Sequence, residues 1–166
     1  MSLFPIDIED DARRIVWAFS ERGLMISTAE SCTGGLIVGA LTDISGSSAV
    51  VDRGFVTYTN EAKMDLLGVN AATLKAYGAV SEQTALQMVQ GALFRSRADI
   101  AVAVTGIAGP GGGSAEKPVG LVHIAARSRA GTILHQEMRY GDIGRNEVRL
   151  ATLRTAFEML IEVAGV

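Results

Sequence analysis

This chain has one cysteine, two histidines, no excess of positive charge and no long apolar run, and each shortage excludes something. Cys32 has no second thiol with which to form an internal disulfide, and no cysteine–histidine spacing suggests structural zinc. The acids nearest Glu30 are scattered without coordination spacing, so neither a metal nor another cofactor is expected. A formal net charge of −3 gives no footprint for a nucleic-acid backbone. No stretch approaches the roughly 20 apolar residues that cross a bilayer. Where a secretory leader would carry a basic start and an apolar core, the chain carries Asp7, Glu9, Asp10 and Asp11. The expected partner is therefore a small molecule, not a nucleic acid or a membrane, and the expected location is cytoplasmic.

What is present suffices for a core. At 166 residues and 48% hydrophobic content, the chain can bury one without metals or disulfides. Ala12, Ile15, Val16 and Phe19 share one face of a helix over 7–22, with acids in its first turn and Gly23 ending it. Residues 24–26 read as a short buried strand, and Leu36, Ile37, Ala40 and Leu41 then recur at helical spacing. A turn over 43–48 leads to a strand over 50–58, interrupted at Gly54, and to short helices over 60–67 and 71–77. Ser81 is placed to cap a helix over 82–97. The apolar run 99–104 suits a strand covered on both faces. A glycine-rich loop over 105–118 follows, then an antiparallel hairpin of strands over 119–126 and 132–140, then a closing helix over 146–163. This alternation predicts one domain over 1–166, a three-layer α/β/α sandwich. Its mixed sheet is parallel first and antiparallel toward the end. The moderately apolar chain and its cleft-lining loops lead us to expect a homo-oligomer, most simply a homodimer.

Ligands of such sheets gather beyond the carboxyl ends of strands. Two unusual loops leave such ends, 28–35 and 105–117. The first crowds Thr28, Ser31, Cys32 and Thr33 before Gly34 and Gly35. At a helix start unpaired N–H groups can receive an anion or a developing oxyanion, though capping by Ser31 or Thr33 is the plainer alternative. The second loop lacks a Gly-Lys-Ser/Thr ending and precedes a strand, so it is neither a P-loop nor a dinucleotide fingerprint. Ser31 is the leading nucleophile. His123 and His135 lie inside strand patterns and read as structural. Lys63 is the better base, since a lysine desolvated in a cleft can lose its proton near neutral pH; the alternative is an ordinary solvated lysine. Cys32 is a rival nucleophile wherever its setting is electropositive and accessible. Glu30 reads as an orienting or helix-start carboxylate. Arg145 and Arg149, one helical turn apart, suit a phosphate, a role for which Thr33, Gly34 and Gly35 compete.

Residues 28–36 (TAESCTGGL), 54–63 (GFVTYTNEAK), 68–69 (GV), 78–81 (GAVS) and 105–120 (TGIAGPGGGSAEKPVG) resemble, in order, the signature blocks of the CinA C-terminal domain family, named for a competence/damage-inducible protein. The likeness covers nearly the whole chain. It implies an amidohydrolase of the Ser-Lys type, without metal or cofactor, that deamidates nicotinamide mononucleotide to nicotinic acid mononucleotide and ammonia. The resemblance puts Ser31 and Lys63 at the family's catalytic positions and Tyr58 and Thr105 close by. Tyr58 would orient or relay protons, and Thr105 would bind substrate or support the nucleophile; a half-buried strand aromatic is the alternative for Tyr58. Glu30, Thr33, Gly34, Gly35, Gly106, Gly109, Gly111, Arg145 and Arg149 make up the expected substrate-binding set, the two arginines on a looser match. The other readings are a non-catalytic nucleotide-binding or interaction module linked to competence or DNA damage, and an amidase for another carboxamide.

Overall fold

The computed structural model describes residues 2–166. Its elements run α1 (Ile6–Arg22), β1 (Ile26–Glu30), α2 (Leu36–Thr42), a short 3₁₀ turn (Ser47–Ala49), β2 (Val51–Val56), α3 (Asn60–Leu67), α4 (Ala71–Tyr77), α5 (Glu82–Phe94), β3 (Ile100–Gly106), β4 (Leu121–Ser128), β5 (Ile133–Arg139) and α6 (Arg145–Ala164). The strands form one sheet in the order β2-β1-β3-β4-β5. β1 pairs parallel to β2 and β3, whereas β3–β4 and β4–β5 are antiparallel, as the alternation predicts.

Side-chain alternation sorts the sheet into two unequal faces. Ile26, Ile100, Val102, Val104, Val122 and Ile124 turn one way and pack with α1, α2 and α6. Ala29, Ala101, Ala103 and Ala125 turn the other way and meet α5 and the ends of α3 and α4. The small residues let α5 lie close to the sheet.

The chain leaves β1 toward β2 through α2 on one face and returns from β2 to β3 through α3, α4 and α5 on the other. Between β1 and β3 the direction of winding reverses, and a crevice opens beyond their carboxyl ends. The loops after β1 and β3 both empty into it.

Four expectations need correction. The first strand extends to Glu30, so Thr28 and Glu30 are ladder residues and the turn shrinks to 31–35. Neither Ser31 nor Thr33 caps α2; Gly35 stands at its N-cap, and the Glu30 carboxylate accepts from Ile37 N at 2.8 Å and Val38 N at 3.0 Å. β2 ends at Val56 and runs unbroken through Gly54. That glycine answers to packing: a Cβ there would lie 2.9 Å from both Thr28 Oγ1 and Val38 Cγ1. Ser81 does cap α5, accepting from Thr84 N at 3.2 Å, but the helix ends at Phe94.

Candidate active site

The same alternation that sorts the core aims the site. Odd positions of β1 face α5, shown by Ser27, whose hydroxyl donates to Ala92 O, and by Ala29. Glu30 points to the α2 side, and Ser31, one residue on, turns toward α3. Ser31 is held by backbone on both sides, its N–H donating to Val104 O at 3.1 Å while Glu30 O accepts from Thr57 N at 2.8 Å.

On α3, Thr59 caps the first turn by accepting from Ala62 N, and Lys63 points inward. It is 1% exposed. Its Nζ donates to Thr57 O at 2.9 Å and Tyr58 O at 3.1 Å and lies 2.9 Å from Ser31 Oγ. A neutral amine has two N–H groups and one lone pair. In the neutral form the two carbonyls would take its N–H groups and leave the lone pair for the serine hydroxyl; in the charged form a third N–H donates to Ser31 Oγ. Burial pushes the amine below the ordinary lysine range.

Around the pair lies a cleft of about 270 Å³, lined by Ser31, Lys63, Tyr58, Thr105 and Arg145, by the small walls of Ala79 and Val80, and by the loop that includes Gly106, Gly109 and Gly111. Thr105 is buried, and its hydroxyl donates to Ala79 O at 2.8 Å, fixing the α4–α5 connection against the end of β3. Arg145 opens α6 and spans the mouth, donating to Gly109 O at 2.7 Å and to the Tyr58 hydroxyl at 3.1 Å. The Tyr58 ring is exposed, and its hydroxyl meets Arg145 rather than Ser31 or Lys63. It is the Tyr58 carbonyl that orients the amine.

The remaining members of the expected binding set lie off the cleft, for visible reasons. Glu30 is fully buried, with its carboxylate occupied by Thr28 Oγ1, Thr33 Oγ1 and the two α2 amides. Thr33 is fully buried and gives its carbonyl to Arg149 Nη2 at 3.1 Å. Gly34 and Gly35, at φ 60° and 98°, make the reversal into α2. Arg149 thus braces the turn from behind.

Cys32 packs into the core with α1, α2 and α6, and burial pushes its thiol up to about 11. Such a thiol stays protonated at neutral pH, which disfavours it as nucleophile. His123 and His135 pair with each other, Nδ1 to Nε2 at 2.9 Å with rings stacked, and neither lines the cleft. Of the amides near Ser31, its own donates to Val104 O and that of Gly34 to Ser31 O. Among the described residues, Cys32, Ala108 and Gly109 line the cleft, and their N–H groups donate to no backbone carbonyl.

Sequence reasoning missed Ala79, Val80, Ile107, Ala108 and Gly112 as cleft walls. The signal for the first two is the block GAVS at 78–81. The two carbonyls that orient Lys63 carry no side-chain signature at all.

Comparison with known proteins agrees with this fold. A family model described as the CinA C-terminal domain matches residues 9–164. The chain is 51% identical over 150 residues to a protein of Enterobacter agglomerans named nicotinamide-nucleotide amidohydrolase PncC, covering 87% of this chain and 90% of that one. It is 48% identical over 153 residues to a CinA-like protein of Chlorobium limicola, covering 88% of this chain but spanning only 36% of that longer relative. The crystal structure of the competence/damage inducible protein CihA from Agrobacterium tumefaciens superposes with a TM-score of 0.98 at 74% identity, over 99% of each chain.

Proposed function

Because the chain belongs to the CinA C-terminal domain family, we propose that it hydrolyses the carboxamide of nicotinamide mononucleotide, giving nicotinic acid mononucleotide and ammonia. The observation that carries the chemistry is the buried Lys63 amine, oriented by two carbonyls and 2.9 Å from Ser31 Oγ.

In this reading Ser31 Oγ attacks the carboxamide carbon while its proton passes to Lys63. The oxyanion would meet backbone amides of the turn after β1 or of the loop after β3. Lys63 returns the proton to the nitrogen as the C–N bond breaks, and ammonia leaves. Water then attacks the acyl-serine, Lys63 takes its proton, the ester bond breaks and Ser31 recovers its hydroxyl. Ala79, Val80 and Ile107 supply an apolar wall for the ring. Arg145 meets the phosphate: two of its five N–H donors are engaged, and it stands at the mouth, where a ribose phosphate would emerge. The same reading makes the protein a cytoplasmic enzyme of pyridine-nucleotide salvage, acting as a homodimer, which light scattering would check.

Ammonia release from nicotinamide mononucleotide, its riboside and a panel of simple carboxamides tests the proposal. Turnover is expected on the mononucleotide, with far weaker activity on the riboside. Arg145→Ala should raise KM for the mononucleotide about tenfold or more and barely change the riboside reaction, since a charge-assisted contact of roughly 1.5–3 kcal/mol is lost. Turnover of other carboxamides alone would assign a different substrate. Nucleotide binding without any turnover would make this an interaction module.

A further inference from the structure

The charges around Lys63 are unusual for a cleft meant to hold a positively charged ring. Among the residues lining it there is no aspartate and no glutamate. The turn after β1 presents Cys32, the end of β2 presents Tyr58, α6 presents Arg145, and the α4–α5 connection presents only Ala79 and Val80. On α3 itself Glu61 and Asp65 are exposed on the outer side. Glu30, the carboxylate nearest in sequence to Ser31, faces the other side of the sheet with its oxygens already taken. A pyridinium ring seated here has no protein counter-charge.

Taking the substrate to be a nicotinamide nucleotide, as proposed above, we infer that the cleft uses the positive charge of the oxidised ring to keep the Lys63 amine neutral, so that the substrate completes its own general base. For reaction, the carboxamide carbon must come within about 3 Å of Ser31 Oγ. Lys63 Nζ is 2.9 Å from that oxygen. The ring nitrogen then falls on the order of 6 Å from the amine, close enough for its positive charge to disfavour the protonated lysine. A carboxylate beside the ring would cancel the effect, so its absence becomes a functional feature. The coupling is reciprocal: the cationic ring binds the protonated enzyme poorly and the neutral-lysine enzyme well. An uncharged ring of the same shape gains nothing from deprotonation, so its affinity carries no such pH dependence.

Two inert ligands read this out, the ribose mononucleotides of a methylpyridinium ring and of a methylphenyl ring. They differ in ring charge and share the phosphate, so phosphate ionisation cancels in the ratio of their Kd values. Calorimetric titration from about pH 6 to 9 should show the cationic ligand gaining at least tenfold over the neutral one as pH rises. The gain should vanish in Lys63→Met and, should that variant misfold, in the permanently charged Lys63→Arg. A flat ratio in the unmodified protein, or a gain that survives both substitutions, overturns the inference. Ammonia release is scored separately: a flat ratio with normal turnover removes this inference alone, whereas absent turnover removes the proposed function.

Discussion

Ser31 Oγ and Lys63 Nζ lie 2.9 Å apart inside the fold, and burial alone pushes the amine below the ordinary lysine range. If they act as one unit, Ser31→Ala and Lys63→Ala should each lower kcat by orders of magnitude, and the double variant should be little worse than either, because effects within a unit are not additive. Cys32→Ala should keep most activity, since its thiol, raised to about 11, has no thiolate to offer near neutrality. A dead Cys32→Ala beside an active Ser31→Ala would move the nucleophile by one residue. Lys63 also leaves a mark on stability. Its folded titration lies below the unfolded value of about 10.4, so between the two the unfolded chain holds the extra proton and stability rises with pH. This contribution is present above the unfolded pKa and lost as pH falls through the folded one. The Tm of the unmodified protein minus that of Lys63→Met should therefore grow from about pH 7 to pH 10; a constant difference would mean that the amine stays charged in the fold.

Helix α3 is positioned by a contact that no hydrophobic pattern reveals. Gly91 on α5 receives the end of α3 so closely that a Cβ there would lie 2.0 Å from Leu67 O. Helix propensity alone favours Gly91→Ala by roughly 1 kcal/mol. Overpacking against fixed backbone costs typically 1–3 kcal/mol or more and should win. We expect Tm to fall by several degrees, at about 2–4 °C per kcal/mol in a domain of this size, and kcat to fall as Lys63 is levered away from Ser31. Gly111→Ala, which meets open space, should leave Tm within about a degree. Circular dichroism melts and ammonia assays on both variants suffice. The element pattern itself was largely legible. The bounds of α3 and α4 match the sequence reading, and both helices stop at a glycine, Gly68 and Gly78. The extent of β1 is not legible, because Ser27, Thr28 and Glu30 look like turn residues; they are fully or almost fully buried strand residues whose side chains find partners inside the fold, while Leu24 and Met25 precede the strand.

At the scale of the whole molecule, the crevice follows from strand order: it opens where the winding reverses between β1 and β3, and loops legible as unusual in the sequence meet there. Which residues of those loops face inward was not legible, because it depends on strand parity and on backbone carbonyls. Ser31 faces the cleft and Glu30 does not, one position apart. Among the described residues no group of three histidine, cysteine, aspartate or glutamate side chains converges on a metal-sized site. Activity should accordingly survive exhaustive chelation, and restoration of lost activity by a divalent cation would refute the serine–lysine scheme. The excursion from β3 to β4 has a consequence for remaking the enzyme. Its base is clasped by Ile107 N to Leu121 O at 2.9 Å and Gly120 N to Ile107 O at 2.8 Å, so its ends are fixed whatever lies between them. Between those ends Lys117 Nζ donates to Tyr77 O, Ser114 N donates to Lys117 O and a Cβ at Gly113 would lie 2.8 Å from Val119 N, which leaves Gly111, facing open space, as the position to vary or lengthen. A library built there would retailor one wall for other carboxamides while inheriting the nucleophile and base intact.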